Sequence, residues 1–246
     1  MLARSIVIAA MISIFISLSA VARSESNHVI KLYMGELPGL INLDQSGPFV
    51  DFVHFLDDQD PNTHIEIEVF PIHRAINGIV QGRADMMLPA VRPPSTVTDL
   101  PFAFSRESFG DVTHVLYTNK NNPLPVDELW AEPERYNIEA VPYYMPFNVA
   151  RSHGIKQSLL RLAAGRIDGF VWAQEEADMI LKQLGLTHIH RAHFADLQDV
   201  FVIPKGEQGK PIDAYLTTLI TRLRNSGQLE KAYRKVHRPY VDWQPE

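Results

Sequence analysis

The sequence predicts an α/β fold of two similar lobes joined by two crossing strands. Three observations carry this. A Gly-Arg-x-Asp unit occurs twice, as Gly82-Arg83-Ala84-Asp85 and Gly165-Arg166-Ile167-Asp168. Each copy follows a helical stretch and precedes a short apolar run, and Gly82/Gly165, Asp85/Asp168, Leu88/Val171 and Ala90/Ala173 fall in register. Helical and strand periodicities alternate along both halves, as parallel α/β units require. Two extended apolar runs, Val112–Asn119 and Asp199–Pro204, stand where the chain must leave one half and return to it. In open α/β sheets the ligand crevice lies beyond the carboxyl ends of strands. Pro89–Arg92 and Trp172–Gln174 are therefore the predicted walls of one cleft.

The N-terminus reads as an export signal. Arg4 supplies a positive start, Ile6–Leu18 is apolar with only serine interruptions, and Ala20-Val21-Ala22 is a small-x-small cleavage pattern. The apolar run is shorter than the ~20 residues of a membrane span. The expectation is cleavage after Ala22 and a periplasmic protein, with an uncleaved anchor as the alternative.

The first lobe begins with His28–Met34, an alternating strand. Gly35–Asp44 follows as a loop, and its Glu36 reads either as a solvated carboxylate or as a ligand contact. Phe49, Phe52, Val53 and Leu56 place a helix over Phe49–Asp57 by their i, i+3, i+4, i+7 spacing. His64–Phe70 alternates strictly, as a strand does. Ile72, Ala75, Ile76, Ile79 and Val80 stripe a second helix, and Gly82 stands where a left-handed C-cap belongs. Strand Asp85–Leu88 closes a βαβαβ unit, whose right-handed crossovers make the sheet parallel. Val112–Asn119 is the predicted crossing to the second lobe.

There, a short helix at Asp127–Trp130 and a strand at Asn137–Val141 are expected. Pro142 and Pro146 then exclude a regular helix while Tyr143, Tyr144, Met145 and Phe147 cluster. That segment is either a packed surface loop or an aromatic cleft lining. A helix at Lys156–Ala164 leads to the echo strand Ile167–Trp172. Gln174–Leu184 is a helix starting just past the cleft wall, where its free N–H groups could face an anion. Glu175 and Glu176 in its first turn read as structural, complementing the helix dipole. After the return crossing, Ile212 to Leu223 form an amphipathic helix with Pro211 near its start. Asn225-Ser226-Gly227 breaks it before a last helix over Leu229–Val236. The division is 1–22 signal peptide, 23–115 and 204–246 first lobe, and 116–203 second lobe.

Composition narrows function by exclusion. The 246 residues suffice for one large domain or two of about 100 each. A net charge of −6 argues against nucleic-acid binding. The absence of cysteine removes a disulfide framework and a lipoprotein anchor. There is no Gly-x-Ser-x-Gly, P-loop or dinucleotide fingerprint, so no enzyme and no cofactor are expected. A lyase or dehydratase using Glu36 and a histidine is the remaining enzymatic alternative. His188-x-His190-x-x-His193 could approach a zinc ion, but ten histidines make such clusters common, and these read as structural or solvent-facing.

Several features recur in a known order: signal peptide, first strand, Gly-Pro loop, helix ending Gly-Arg-Ala-Asp, Phe104-Ser105 and a Val-Leu-Tyr crossing strand. A second Gly-Arg-x-Asp follows, then Phe-Val-Ile-Pro-Lys at 201–205, and a last run through Leu219, Leu223, Gly227, Leu229, Tyr233 and Lys235. Nearly all of the mature chain thereby resembles the type II periplasmic solute-binding proteins, in the amino-acid-binding branch called extracellular solute-binding family 3. The resemblance implies two Rossmann-like lobes that close by hinge motion near Thr113–Tyr117 and Val200–Ile203. It implies a monomer that captures an amino acid or related small carboxylate and delivers it to an ABC transporter permease. A sensory protein docking on a membrane receptor is the alternative.

Such proteins hold their ligands with an Arg that grips a carboxylate and a second-lobe Asp that pairs with an ammonium. This sequence departs from both. Thr96 stands at the family Arg position, and Arg92 is the nearby candidate, since a guanidinium grips carboxylates bidentately. The Asp position falls on Ala173, flanked by Trp172 and Gln174. The candidate ligand-binding set is Glu36, Pro89, Ala90, Arg92, Tyr143, Tyr144, Trp172 and Gln174, with no metal ligand and no catalytic residue.

Overall fold

The computed structural model describes residues 28–94 and 100–246. The predicted signal peptide and Thr96 lie outside the described residues. Strand β1 (His28–Gly35) buries Ile30, Leu32 and Met34 at alternate positions. Helix α1 (Pro48–Asp57) starts with proline, whose missing N–H has no helical partner at that position, and buries Phe49, Phe52, Val53 and Leu56. Then come β2 (Thr63–Phe70), α2 (Ile72–Val80) and the fully buried β3 (Met86–Leu88). Both β2 and β3 pair with β1 in parallel, as the βαβαβ pattern predicts. Strand β4 (Phe102–Phe104) follows. The first sheet has the order β2-β1-β3-β10-β4, in which β10 (Val202–Pro204) runs antiparallel to both neighbours.

The second sheet, β7-β6-β8-β5-β9, comprises β5 (Gly110–Asn119), β6 (Ile138–Ala140), β7 (Ala150–Arg151), β8 (Gly169–Ala173) and β9 (Ile189–Asp199). Helices α3 (Val126–Ala131), α4 (Ile155–Ala163) and α5 (Gln174–Leu184) belong to this half, and α6 (Lys210–Asn225) and α7 (Gln228–Tyr233) return to the first. One core joins β1, α1, α6 and α7 around Phe49, Phe109 and Leu216, and another joins β5, α4 and α5 around Tyr117, Leu159 and Phe170.

The sequence echo has a physical cause. Gly82 and Gly165 both adopt left-handed φ, +66° and +65°, a conformation that costs a side-chain-bearing residue. Arg83 N–H then donates to Gly78 O and Arg166 N–H to Arg161 O, closing each helix in the same way. Beyond the cap, Asp85 exchanges hydrogen bonds with Lys31, its N–H to the Lys31 carbonyl and its Oδ2 from the Lys31 N–H at 2.8 Å. Asp168 does the same with Asn137, Oδ2 accepting at 2.9 Å. Each Asp thus staples the start of an echo strand to its neighbour and sets the register. The repeated unit is a folding device.

Val112–Asn119 lies wholly inside the second sheet. The crossing itself is residues 105–109, ahead of the predicted strand, and it runs beside the return. Ser105 N–H donates to Phe201 O, Phe201 N–H to Ser105 Oγ, and Phe109 N–H to Asp199 O. Strand β9 is an element that the sequence reading did not predict. Its inward positions include Arg191 and Asp199, and a bulge near His114/Val115 interrupts the alternation.

Arg191, 1% exposed, also fixes the C-terminus. Its Nε and Nη2 donate to Asp178 at 2.7 and 2.6 Å, and its Nη1 donates to the carbonyls of Val241 and Trp243 at 3.1 and 2.7 Å. The guanidinium also lies 4.4 Å from the Trp243 ring centroid, and Lys120 Nζ donates to Pro245 O. The tail leaves α7 in the first lobe and ends docked on the second.

Candidate functional site

The carboxyl ends of β1, β2 and β3 face those of β6, β7 and β8 across a cavity of about 1020 Å³. From the first sheet come Glu36, Pro38, Ile72, His73, Pro89 and Ala90; from the second come Pro142, Tyr144, Arg151, His153 and Trp172. Five predicted residues, Glu36, Pro89, Ala90, Tyr144 and Trp172, are thus brought together. Tyr143 belongs to the same single turn, Pro142–Tyr144. Trp172 packs on Phe170 with ring centroids 5.7 Å apart.

Arg92 and Gln174 are not among the lining residues. Arg92 Nη2 donates to the carbonyls of Ser105 and Arg106 at 2.9 and 2.8 Å, holding the exit of β3 against the first crossing. Gln174 donates through Nε2 to Arg238 O at 2.6 Å, tying α5 to the C-terminal segment. The cation on the wall is Arg151, exposed and without an ion pair among the described residues.

The floor was not visible in the sequence. It lies beside the two crossings, where His114 of β5, Glu176 of α5, Asp199 at the end of β9 and His237 after α7 all border the cavity. His237 Nδ1 lies 3.1 Å from Glu175 Oε2, and its Nε2 lies 3.8 Å from Asp199 Oδ2. Tyr233 donates its hydroxyl to that same Asp199 oxygen at 2.9 Å. The second oxygen, Asp199 Oδ1, is buried with no hydrogen-bond partner, and so is Glu176 Oε2. The two residues are 1% and 2% exposed.

These contacts set the charges. Burial, with repulsion from neighbouring carboxylates, outweighs the pull of His237 and pushes Glu176 and Asp199 each up to about 7. Burial alone would lower His237, but the Glu175 hydrogen bond and the charges of Asp199 and Glu176 raise it. Burial opposes ionisation of Glu175 too, yet His237 and the Arg238 N–H hold its carboxyl below the usual range. Burial drives His114 down to about 4, so its imidazole is neutral. His114 Nδ1 lies 3.2 Å from Val112 O; a carbonyl only accepts, so Nδ1 carries the proton and Nε2 the lone pair.

No protein-family model matches the sequence, and no curated relative aligns with it significantly. Solved structures do resemble it. A histidine kinase sensor domain with similarity to periplasmic binding proteins superposes with a TM-score of 0.65 at 16% identity, over 85% of this chain and 96% of that one. The GluR0 ligand-binding core from Nostoc punctiforme, in complex with L-glutamate, gives 0.60 at 13% over 85% and 100%. The substrate-binding protein of an amino acid ABC transporter gives 0.59 at 17% over 86% and 100%. The fold is that of the type II periplasmic binding proteins. In this chain, strand ends of both sheets border one cavity. Among the described residues, no helix of this type II fold is long and apolar enough to cross a membrane, and no group of three His, Asp or Glu could hold a metal ion.

Proposed function

We propose that the protein captures a small polar solute between its two lobes by hinge closure and passes it to a membrane partner. The cavity shared by the strand ends of both lobes supports this reading, because a ligand there touches both halves and favours their approach. The lobes are the two sheets with their helices, and the hinge is the pair of crossings at 105–109 and 199–201. The chain acts after export, as a monomer, with no cofactor and no catalytic step. The partner we favour is an ABC transporter permease, as the transporter-binding protein it resembles suggests. Likeness to a histidine kinase sensor domain supports a second reading, a receptor-docked sensor.

The test uses the chain from Arg23 onward, titrated with amino acids, small carboxylates and amines. Thermal unfolding reports binding, since a ligand at ~100 times its Kd adds roughly 2.7 kcal/mol. Small-angle scattering reports closure as a smaller radius of gyration. No shift with any solute, or a shift without compaction, refutes hinge capture.

A further inference from the structure

We propose that Glu176 and Asp199 form an ammonium-binding site on the floor of the cleft, and that seating a primary amine there expels a proton from this carboxylate pair. The inference rests on the reading of the cleft as a solute site and names the class of solute.

The chemistry of the floor is one-sided. Glu176 Oε2 and Asp199 Oδ1 are buried, unpartnered acceptors, and His114, whose neutral ring keeps a lone pair on Nε2, lines the same cavity. The nearest donors are committed: His237 faces Glu175 and Asp199, and the Tyr233 hydroxyl is given to Asp199 Oδ2. A purely structural ion network would have used its oxygens on internal donors, as Glu175 and Asp178 do. Among the described side chains of this floor, an anion finds no uncommitted donor. A metal ion finds no adequate group of ligands among the described residues. An ammonium carries three N–H donors and no acceptor, the complement of what the floor offers. The stem of such a ligand would lie against Ile72, Pro89, Val112, Met145 and Trp172, and Arg151 stands ready for a carboxylate at the other end.

The proton follows from the same groups. With both carboxyls near 7, the empty floor holds about one proton at neutral pH, and a cation favours the fully ionised pair. The other titratable and charged groups facing it are Glu175 on α5, His114, Asp111 and Asp196 on β5 and β9, and Tyr233 and His237 on and after α7. Glu36, His73, Arg151 and His153 complete the cavity wall.

The experiment is calorimetric titration of the chain from Arg23 with putrescine, agmatine and L-lysine, against glutarate as the non-amine control. The amines are expected to bind about a hundredfold tighter near pH 8 than near pH 6, the change in doubly ionised fraction of two groups that each titrate at about 7. Their heats should vary with buffer ionisation enthalpy as released protons are taken up. Glu176→Gln and Asp199→Asn, checked for folding by circular dichroism, should each weaken amine binding at least tenfold and flatten its pH dependence. Glutarate bound while no amine binds overturns the ammonium site and leaves solute capture standing. Amine binding that is indifferent to pH in the unmutated chain, or to both substitutions, overturns it too. Silence from every probe sinks both readings together.

Discussion

Replacing Glu176 with Gln should make the empty protein more stable, and the gain should appear only as the pH rises. The Glu176 carboxyl titrates at 4.5 when free and is raised to about 7 in the fold. Below about pH 4.5 it is neutral whether the chain is folded or not, and its burial carries no charge penalty. Between about 4.5 and 7 the unfolded chain releases this proton while the folded chain keeps it, so folding stability falls through that window. Above 7 the loss is complete, and a shift of that size corresponds to about 3 kcal/mol. Glutamine has no proton to lose, so the variant should match the parent near pH 4.5 and exceed it by up to about 3 kcal/mol near pH 8. His114, held near 4, acts in the opposite sense, removing stability as pH falls below its free value of 6.5. Taking the difference between the two proteins cancels it. Urea melts at a series of pH values give that difference, with unchanged slopes confirming the same unfolding reaction. A difference that is flat with pH, or a parent more stable than the variant near pH 8, would refute the picture of a charge buried at a loss. The variant is thus expected to gain stability as it loses the amine.

Arg191→Met should cost about 3–5 kcal/mol, the usual result of removing one partner from a buried pair. Deleting residues 240–246 should also destabilise, and the two changes together should cost less than their sum in denaturant melts, because they remove the same contacts. Arg92→Ala should lower the melting temperature by freeing the carbonyls of Ser105 and Arg106, while solute affinity measured by calorimetry stays unchanged. Gly82→Ala and Gly165→Ala should each cost about 1–2 kcal/mol for the left-handed backbone alone, since a Cβ there meets nothing within 4 Å. Gly78→Ala should cost more, because its Cβ would come 2.2 Å from the Tyr33 ring; thermal melts of the three variants give the ranking.

What the sequence shows is the local part of the fold. Helices and strands with one apolar face declare themselves by periodicity, and α5 was legible to the residue. The Gly-Arg-x-Asp echo pointed to two strand ends that border the cavity, though not to Arg92 or Gln174 as its lining, because cap, staple and strand are consecutive in the chain. Strand β9 was hidden because two of its inward residues are charged, Arg191 and Asp199, and a charged residue gives no apolar signal. The floor was hidden for a different reason. His114, Glu176, Asp199 and His237 are far apart in sequence, and each alone looks like an ordinary polar residue. Glu176 in particular is indistinguishable from Glu175 as a first-turn acid until folding gives one a partner and leaves the other without. Arg92 had the right chemistry and the right loop, but the main chain of the first crossing occupies its guanidinium.

Arg191 grips the tail against the second lobe while His28 opens the first sheet, so the two ends of the described chain sit on different lobes. Under the proposed hinge closure, their separation is a coordinate supplied by the connectivity itself. A donor dye before His28 and an acceptor after Glu246 would read cleft motion directly, with no label placed near the cavity and no side chain of either core disturbed.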